Sequence, residues 1–210
     1  MVEASEGNRL DRRKARTRAA LVAAARDLLT SRDPAGVSIQ EITEAADVGF
    51  GSFYNHFESK QDLFDAAVDE AIEEHGAMLG ELTRDLEDPA EVFALSVRIT
   101  ARFPKTHPEL AKIMDRTGMR YLSASWGLAP RALRDLQHAE QAGRLTLGDP
   151  AVALACAGGA VLGVLHLGLT RDGVAIDGAA DELAENLLRM FGLAAPEAHR
   201  VARRPLPAGF

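Results

Sequence analysis

Leu21, Ala24, Ala25, Leu28 and Leu29 stand at i, i+3, i+4, i+7 and i+8, the spacing that aligns side chains on one face of an α-helix. They predict an amphipathic helix over about Asp11 to Arg32. Asp33-Pro34-Ala35-Gly36 stops it, because proline cannot continue a helix and glycine turns cheaply. Ser38-Ile39-Gln40-Glu41 reads as a capping box that starts a second helix. This helix is expected to bury Ile42 and Ala45 and to end near Ala46. A short turn through Asp47 and Val48 then leads into Gly49 to Phe57. At about 100° per residue, Phe53 and Phe57 fall into one core stripe while Gly51 and Asn55 point away, with Tyr54 and His56 on the flanks. Two short helices joined by so tight a turn make a helix-turn-helix. A buried aromatic stripe backed by small and hydrogen-bonding residues suits a helix that reads the major groove of double-stranded DNA.

From Lys60 onward the periodicity stays helical and no segment reads as a strand. Helices are expected from Ser59 into the 80s, over about Pro89 to Phe103, and around Leu110, Ile113 and Met114. Further helices follow from Gly118 to Ala142 with a break at Gly127 to Pro130, over Pro150 to Thr170, and over Gly178 to Leu193. The fold class is therefore all-α. The organisation expected is a disordered arm at 1–10, a helix-turn-helix domain at 11–57, a larger helical domain at 58–194 and a disordered tail at 195–210.

Charge sharpens this picture once it is resolved along the chain. The net charge of −7 argues against a generic nucleic-acid binder. Yet Arg9, Arg12, Arg13, Lys14, Arg16, Arg18, Arg26 and Arg32 are faced in their stretch only by Asp11 and Asp27. A basic patch on an acidic body suits a site-specific binder. Cys156 is the single cysteine, so no internal disulfide framework exists and a reducing, cytoplasmic setting is expected. Met1 to Asn8 is polar and acidic, which is not the pattern of a secretory signal.

Val37 to Leu63, "VSIQEITEAADVGFGSFYNHFESKQDL", resembles the DNA-binding signature of the tetracycline-repressor (TetR) family of transcriptional regulators. The resemblance is dense over the first sixty-odd residues and weak beyond. Carried over by position, it implies that Tyr54, His56 and Lys60 contact phosphates, with Ser38 and Asn55 as further backbone contacts. Gln40, Phe50, Gly51 and Ser52 match positions that face base edges. Gly49 and Phe50 depart from the family's pattern, which often has serine and a polar residue there. Phe50 would either pack on the first helix or touch a thymine methyl. The resemblance also implies a homodimer, usually a repressor, whose helical body senses a small-molecule effector. Lys60 is notable by itself: it sits in a first helical turn, where the macrodipole disfavours a cation.

Phe93, Phe103, His107, Met114, Met119, Tyr121, Trp126 and His166 are the candidate lining of an apolar effector pocket in the middle helices. Ala155, Gly159 and Gly163 fall at i, i+4, i+8 and make a smooth stripe that admits a second helix closely. Ala184, Leu187, Leu188 and Phe191 make an apolar face on the following helix, and the two faces together are the candidate dimer interface. The run Ala151 to Leu169 approaches membrane-span length, but its alanine and glycine content and His166 favour burial, so no membrane partner is expected. Cys156 within it reads as an inert core thiol. No nucleophile elbow, phosphate-binding glycine loop or metal pattern is present; no enzyme activity, cofactor or metal is expected. Two other readings remain open: a DNA-binding regulator that answers to a protein partner, and a helical lipid carrier or enzyme with a vestigial helix-turn-helix.

Overall fold

The computed structural model describes residues 3–122 and 128–210, with side chains described throughout these except at 3–8, 119–121 and 128. Among the described residues the chain is helical and carries no strand. It forms two compact units, Met1–Ala71 and Ile72–Phe210.

The first unit holds α1 (Glu3–Ser31), α2 (Ile39–Ala45), α3 (Phe50–Phe53) and the opening of α4 (Lys60–Thr83). Leu21, Ala25, Leu29, Ile42, Phe53 and Leu63 are its buried centre. The arm expected to be disordered is instead helical from Glu3. Asp33 accepts from the Ala35 amide at 2.9 Å and caps a single 3₁₀ turn, Pro34–Gly36. Ser38 and Glu41 form the predicted capping box, the Ser38 amide donating to Glu41 at 2.8 Å and the Glu41 amide to Ser38 Oγ at 3.2 Å. Ala45 is exposed and Thr43 is buried in its stead, because a seven-residue helix turns only one narrow face inward. Asp47 takes φ 52° in the turn between helices, a left-handed conformation aspartate tolerates.

α3 is shorter than the nine residues expected. After Phe53 the chain tightens, and the amides of His56 and Phe57 both donate to the Phe53 carbonyl, at 2.9 and 3.1 Å. This still sets the Phe57 ring beside Phe53, centroids 6.0 Å apart. The unit also extends beyond the expected boundary at 57, into α4 as far as Ala71. Leu63, Phe64, Ala67, Val68 and Ala71 are buried there.

The second unit comprises the rest of α4 with α5 (Pro89–Ala101), α6 (Phe103–Thr106), α7 (Pro108–Leu122), α8 (Leu128–Gln141), α9 (Pro150–Thr170), α10 (Ile176–Met190) and α11 (Ala195–Ala202). Asp88 and Asp149 cap α5 and α9, and each precedes a proline in the first turn, where its missing amide costs nothing. α5 is buried on nearly every side and packs lengthwise on α10, while α9 packs on α7, α8 and α10. Arg98 on α5 and Arg102 just past its end, both buried, converge on Asp181 of α10 at 2.7 and 2.6 Å. The pairing offsets the cost of taking these charges from water.

The tail expected to be disordered forms α11, whose Ala198, Val201 and Ala202 are buried against α5 and α10. Its arginines are partnered. The Arg204 carbonyl accepts from Arg98 at 2.7 Å, the Arg204 side chain pairs with Glu91, and Glu197 accepts from Arg144 at 2.8 Å. Beyond α11, Phe210 stacks on His107 with centroids 5.8 Å apart.

α10 corrects the expected interface. Ala184, Leu187, Leu188 and Phe191 are buried inside the protomer, Phe191 edge-on to Phe93 at 5.7 Å. The apolar face read from sequence is the face that packs on α5. α9 is different: Ala155, Cys156 and Gly163 are exposed, as are Val152 and Leu167. Cys156 is thus no core thiol. A side chain placed at Gly159 or Gly163 would meet nothing within 4 Å. By length and composition α9 would suffice to cross a membrane; its other face is buried in the bundle through Ala153, Leu154, Ala157, Val161 and Leu165.

Candidate nucleic-acid interface and effector cavity

In the first unit the predicted DNA-facing residues fall into three physical states. Phe50, Gly51, Tyr54 and Asn55 are exposed, and Ser52 is half-buried beside them. Gly49 caps α3 without a side-chain bond, and the Ser52 amide donates to its carbonyl at 2.8 Å. Gln40 is exposed, and its amide group donates to Glu44 at 2.9 Å. Ser38 is held in its capping box, and Glu41 behind it has its carboxyl lowered to about 2, first by the hydrogen bond from Arg32 and then by Ser38.

His56 is half-buried, with its pKa lowered by burial and then by the charges of Lys14 and Arg18. The neutral ring keeps one N–H to give to a phosphate. Lys60 does something the sequence did not announce: its ammonium donates to the carbonyls of Ala35 and Val37, at 3.0 and 2.6 Å. Those carbonyls are orphaned by the turn before α2, so the cation clamps the turn that presents Ser38. Its placement in a first helical turn, electrostatically poor for α4, is compensated there.

In the second unit the helices line a partly open cavity of about 360 Å³. α4 contributes Ile72, Gly76, Leu79, Gly80 and Thr83, and α5 contributes Phe93, Ser96, Val97 and Thr100. Met114, Gly118 and Leu122 come from α7, six residues between Ala129 and Leu136 from α8, and Leu154, Ala157, Gly158, Val161 and Leu162 from α9. Three of the glycines make the packing possible. A methyl at Gly76 would fall 1.7 Å from Arg131 Nη1, one at Gly118 2.4 Å from Leu162, and one at Gly158 2.1 Å from Leu122.

Polar groups gather on one part of this wall. Arg131 donates through Nη2 to Glu73 at 2.5 Å, while its Nη1 is buried without a partner. Asp135, one turn later on α8, has its pKa raised by burial. It makes no hydrogen bond or ion pair among the described residues. Thr100 donates to the Ser96 carbonyl at 2.8 Å, so its lone pair is left to accept from His75 Nε2 at 3.1 Å. This fixes the His75 proton on Nε2 and leaves Nδ1 a buried acceptor without a partner. Burial holds His75 neutral, its pKa lowered to about 3. A carboxyl, a guanidinium N–H and hydroxyls on a mostly apolar wall can hold a compact molecule that carries hydroxyls.

Of the pocket residues expected from sequence, Phe93 and Met114 line the cavity. Phe103 is wholly buried beneath His75, ring centroids 4.7 Å apart, and belongs to the core. His107 sits between Phe103 and Phe210. His166 is exposed and pairs with Asp115 at 2.8 Å. Trp126 and the side chains of Met119 and Tyr121 lie outside the described residues. Gly76, Ser96, Thr100, Arg131 and Asp135 were missed. The signal that could have found part of this set is glycine inside a helix, costly unless something must approach closely.

A helix-turn-helix unit followed by a helical unit with an interhelical cavity defines the class. Residues 21–67 match the family model described as bacterial regulatory proteins, tetR family, and residues 88–204 match the tetracyclin repressor-like C-terminal domain. The chain belongs to the TetR family. It is 34% identical to RolR, solved in complex with resorcinol, at a TM-score of 0.68, over 95% of this chain and 100% of that one. A structure described as the molecular basis for control of antibiotic production by bacterial hormones is 26% identical at a TM-score of 0.63, over 82% of this chain and 96% of that one. An uncharacterised HTH-type transcriptional regulator of Mycobacterium tuberculosis is 33% identical over 88 residues. That match spans 42% of this chain and 44% of the curated relative's length.

Proposed function

We propose that this chain is a cytoplasmic, homodimeric, sequence-specific DNA-binding regulator, acting as a repressor that a small molecule releases from a palindromic operator. The observation that carries the reading is α4. Its first turn holds Lys60, which clamps the turn before α2, and its later turns supply Ile72, Gly76, Leu79, Gly80 and Thr83 to the cavity wall. An occupant of the cavity therefore touches the helix on which the reading unit depends. It can bias that unit only through different affinities for two arrangements of α4, typically a coupling of about 1–3 kcal/mol.

Dimerisation is assigned to the open face of α9, where Val152, Ala155, Cys156, Gly159, Gly163 and Leu167 leave apolar and small surface uncovered. The effector is assigned to compact aromatic molecules bearing hydroxyls. RolR takes resorcinol, a benzene ring with two hydroxyls, and here one hydroxyl can donate to Asp135 while another accepts from Arg131 Nη1. The test is an anisotropy titration of operator duplex with the full chain and a panel of mono- and dihydroxybenzenes. A member of the panel should weaken operator binding, and operator should weaken that member by the same factor. Panel members that bind the cavity yet leave operator affinity unchanged would make it a packing void rather than a sensor.

A further inference from the structure

We propose that Phe50 selects a pyrimidine C5-methyl, a thymine in ordinary DNA, at one position of each operator half-site. The inference rests on the DNA-reading role above and concerns which chemical feature is read. Phe50 opens α3 with 53% of its surface exposed, and Tyr54 one turn on is 57% exposed. Two large aromatic side chains left in water on one short segment are costly unless something covers them.

The pair is also held in place. The Phe50 and Tyr54 rings meet edge to face at 6.0 Å, Tyr54 meets Phe53 in the same way at 5.3 Å, and Phe53 is fully buried. Phe53 leans on Phe57, over which the Arg18 guanidinium sits at 5.4 Å. A chain of rings thus runs from the core to the surface and orders Phe50 before any partner arrives. Gly51 beside it adds no side chain, and a Cβ there would meet nothing within 4 Å.

The partner must be anionic and offer a small apolar spot. Lys14 and Arg18 lie close enough to His56 to depress its pKa, and the surrounding stretch is rich in arginine. The expected hydrogen-bonding reader, Gln40, already donates to Glu44. Duplex DNA meets both requirements, with phosphates for the cations and, in the major groove, one apolar group only, the thymine methyl. Uracil presents the same hydrogen-bonding edge without that methyl, and 5-methylcytosine restores the methyl on a different edge.

The test begins with the full chain and a random duplex pool, from which the preferred site is selected. Each thymine of that site is then replaced in turn by uracil. Wild type should lose about fourfold per half-site at a single position, the worth of one buried methyl, and Phe50→Ala should be indifferent to the same replacement. The exposure of Phe50 makes that variant safe for folding, and Phe50→Leu should retain part of the effect. Replacing the sensitive base pair by cytosine and then by 5-methylcytosine should lose and partly recover affinity. A selected site at which uracil is tolerated everywhere, or at which Phe50→Ala responds as wild type does, overturns the proposal and leaves DNA reading standing. A pool without enrichment overturns both. Loss of binding to anionic phospholipid vesicles on Phe50→Ala, with no site selected from DNA, would assign the ring pair to a membrane surface instead.

Discussion

His75 should set the acid limit of the second unit. It is 1% exposed, donates through Nε2 to Thr100 and has no partner at Nδ1. Burial is the largest cause of its lowered pKa, followed by the positive influence of His107 and Arg131. The folded value is about 3 against 6.5 for the free side chain. Between those values the unfolded chain binds a proton that the folded chain refuses, so stability is complete above pH 6.5 and falls as the pH drops. At about 1.4 kcal/mol per pH unit, going from pH 7 to 4.5 should remove about 2–3 kcal/mol through this one group. Urea unfolding of wild type and His75→Gln at both pH values measures it. The variant will be weaker at pH 7, having lost packing, but its loss on acidification should be smaller by that amount. Equal losses in the two proteins would show that His75 is not held neutral by the fold.

Lys60→Ala should weaken binding to all duplexes alike and lower the salt slope by about one; an unchanged slope would confine Lys60 to clamping the Ala35 and Val37 carbonyls. Gly163→Leu should fold normally, since its side chain enters open space, and sediment as a monomer; a stable dimer would move the interface off this face of α9. Asp135→Asn should cost a hydroxylated effector about tenfold in affinity, a charged hydrogen bond's worth, with operator affinity unchanged in the absence of effector. Equal effector binding by the variant would remove Asp135 from the ligand's contacts.

The reading unit was legible because its signals are local. A capping box, an aromatic pair four residues apart and a tight turn each depend on neighbours in sequence, so Ser38, Glu41, Phe53 and Phe57 fell where expected. The cavity was not, because its wall is shared among five helices distant in sequence and its polar groups resemble a solvated face when read alone. Arg131 and Asp135, one turn apart on an amphipathic α8, look like any surface ion pair. Only the packing of Arg131 over Gly76 places the guanidinium on the cavity wall. Prolines and arginines misread the tail for the same reason: partners more than 50 residues away, such as Arg144 for Glu197 and Glu91 for Arg204, decide whether it is solvated. The apolar stripe of α10 was real, but periodicity reports that a face is buried and not which chain buries it.

The most direct measurement is selection of duplexes from a random pool by the full chain, repeated at two salt concentrations. One inverted repeat should be enriched, its half-sites related by the two-fold of a dimer, with affinity falling steeply as salt rises. Uniform recovery of unrelated sequences under conditions where the chain binds DNA would contradict it.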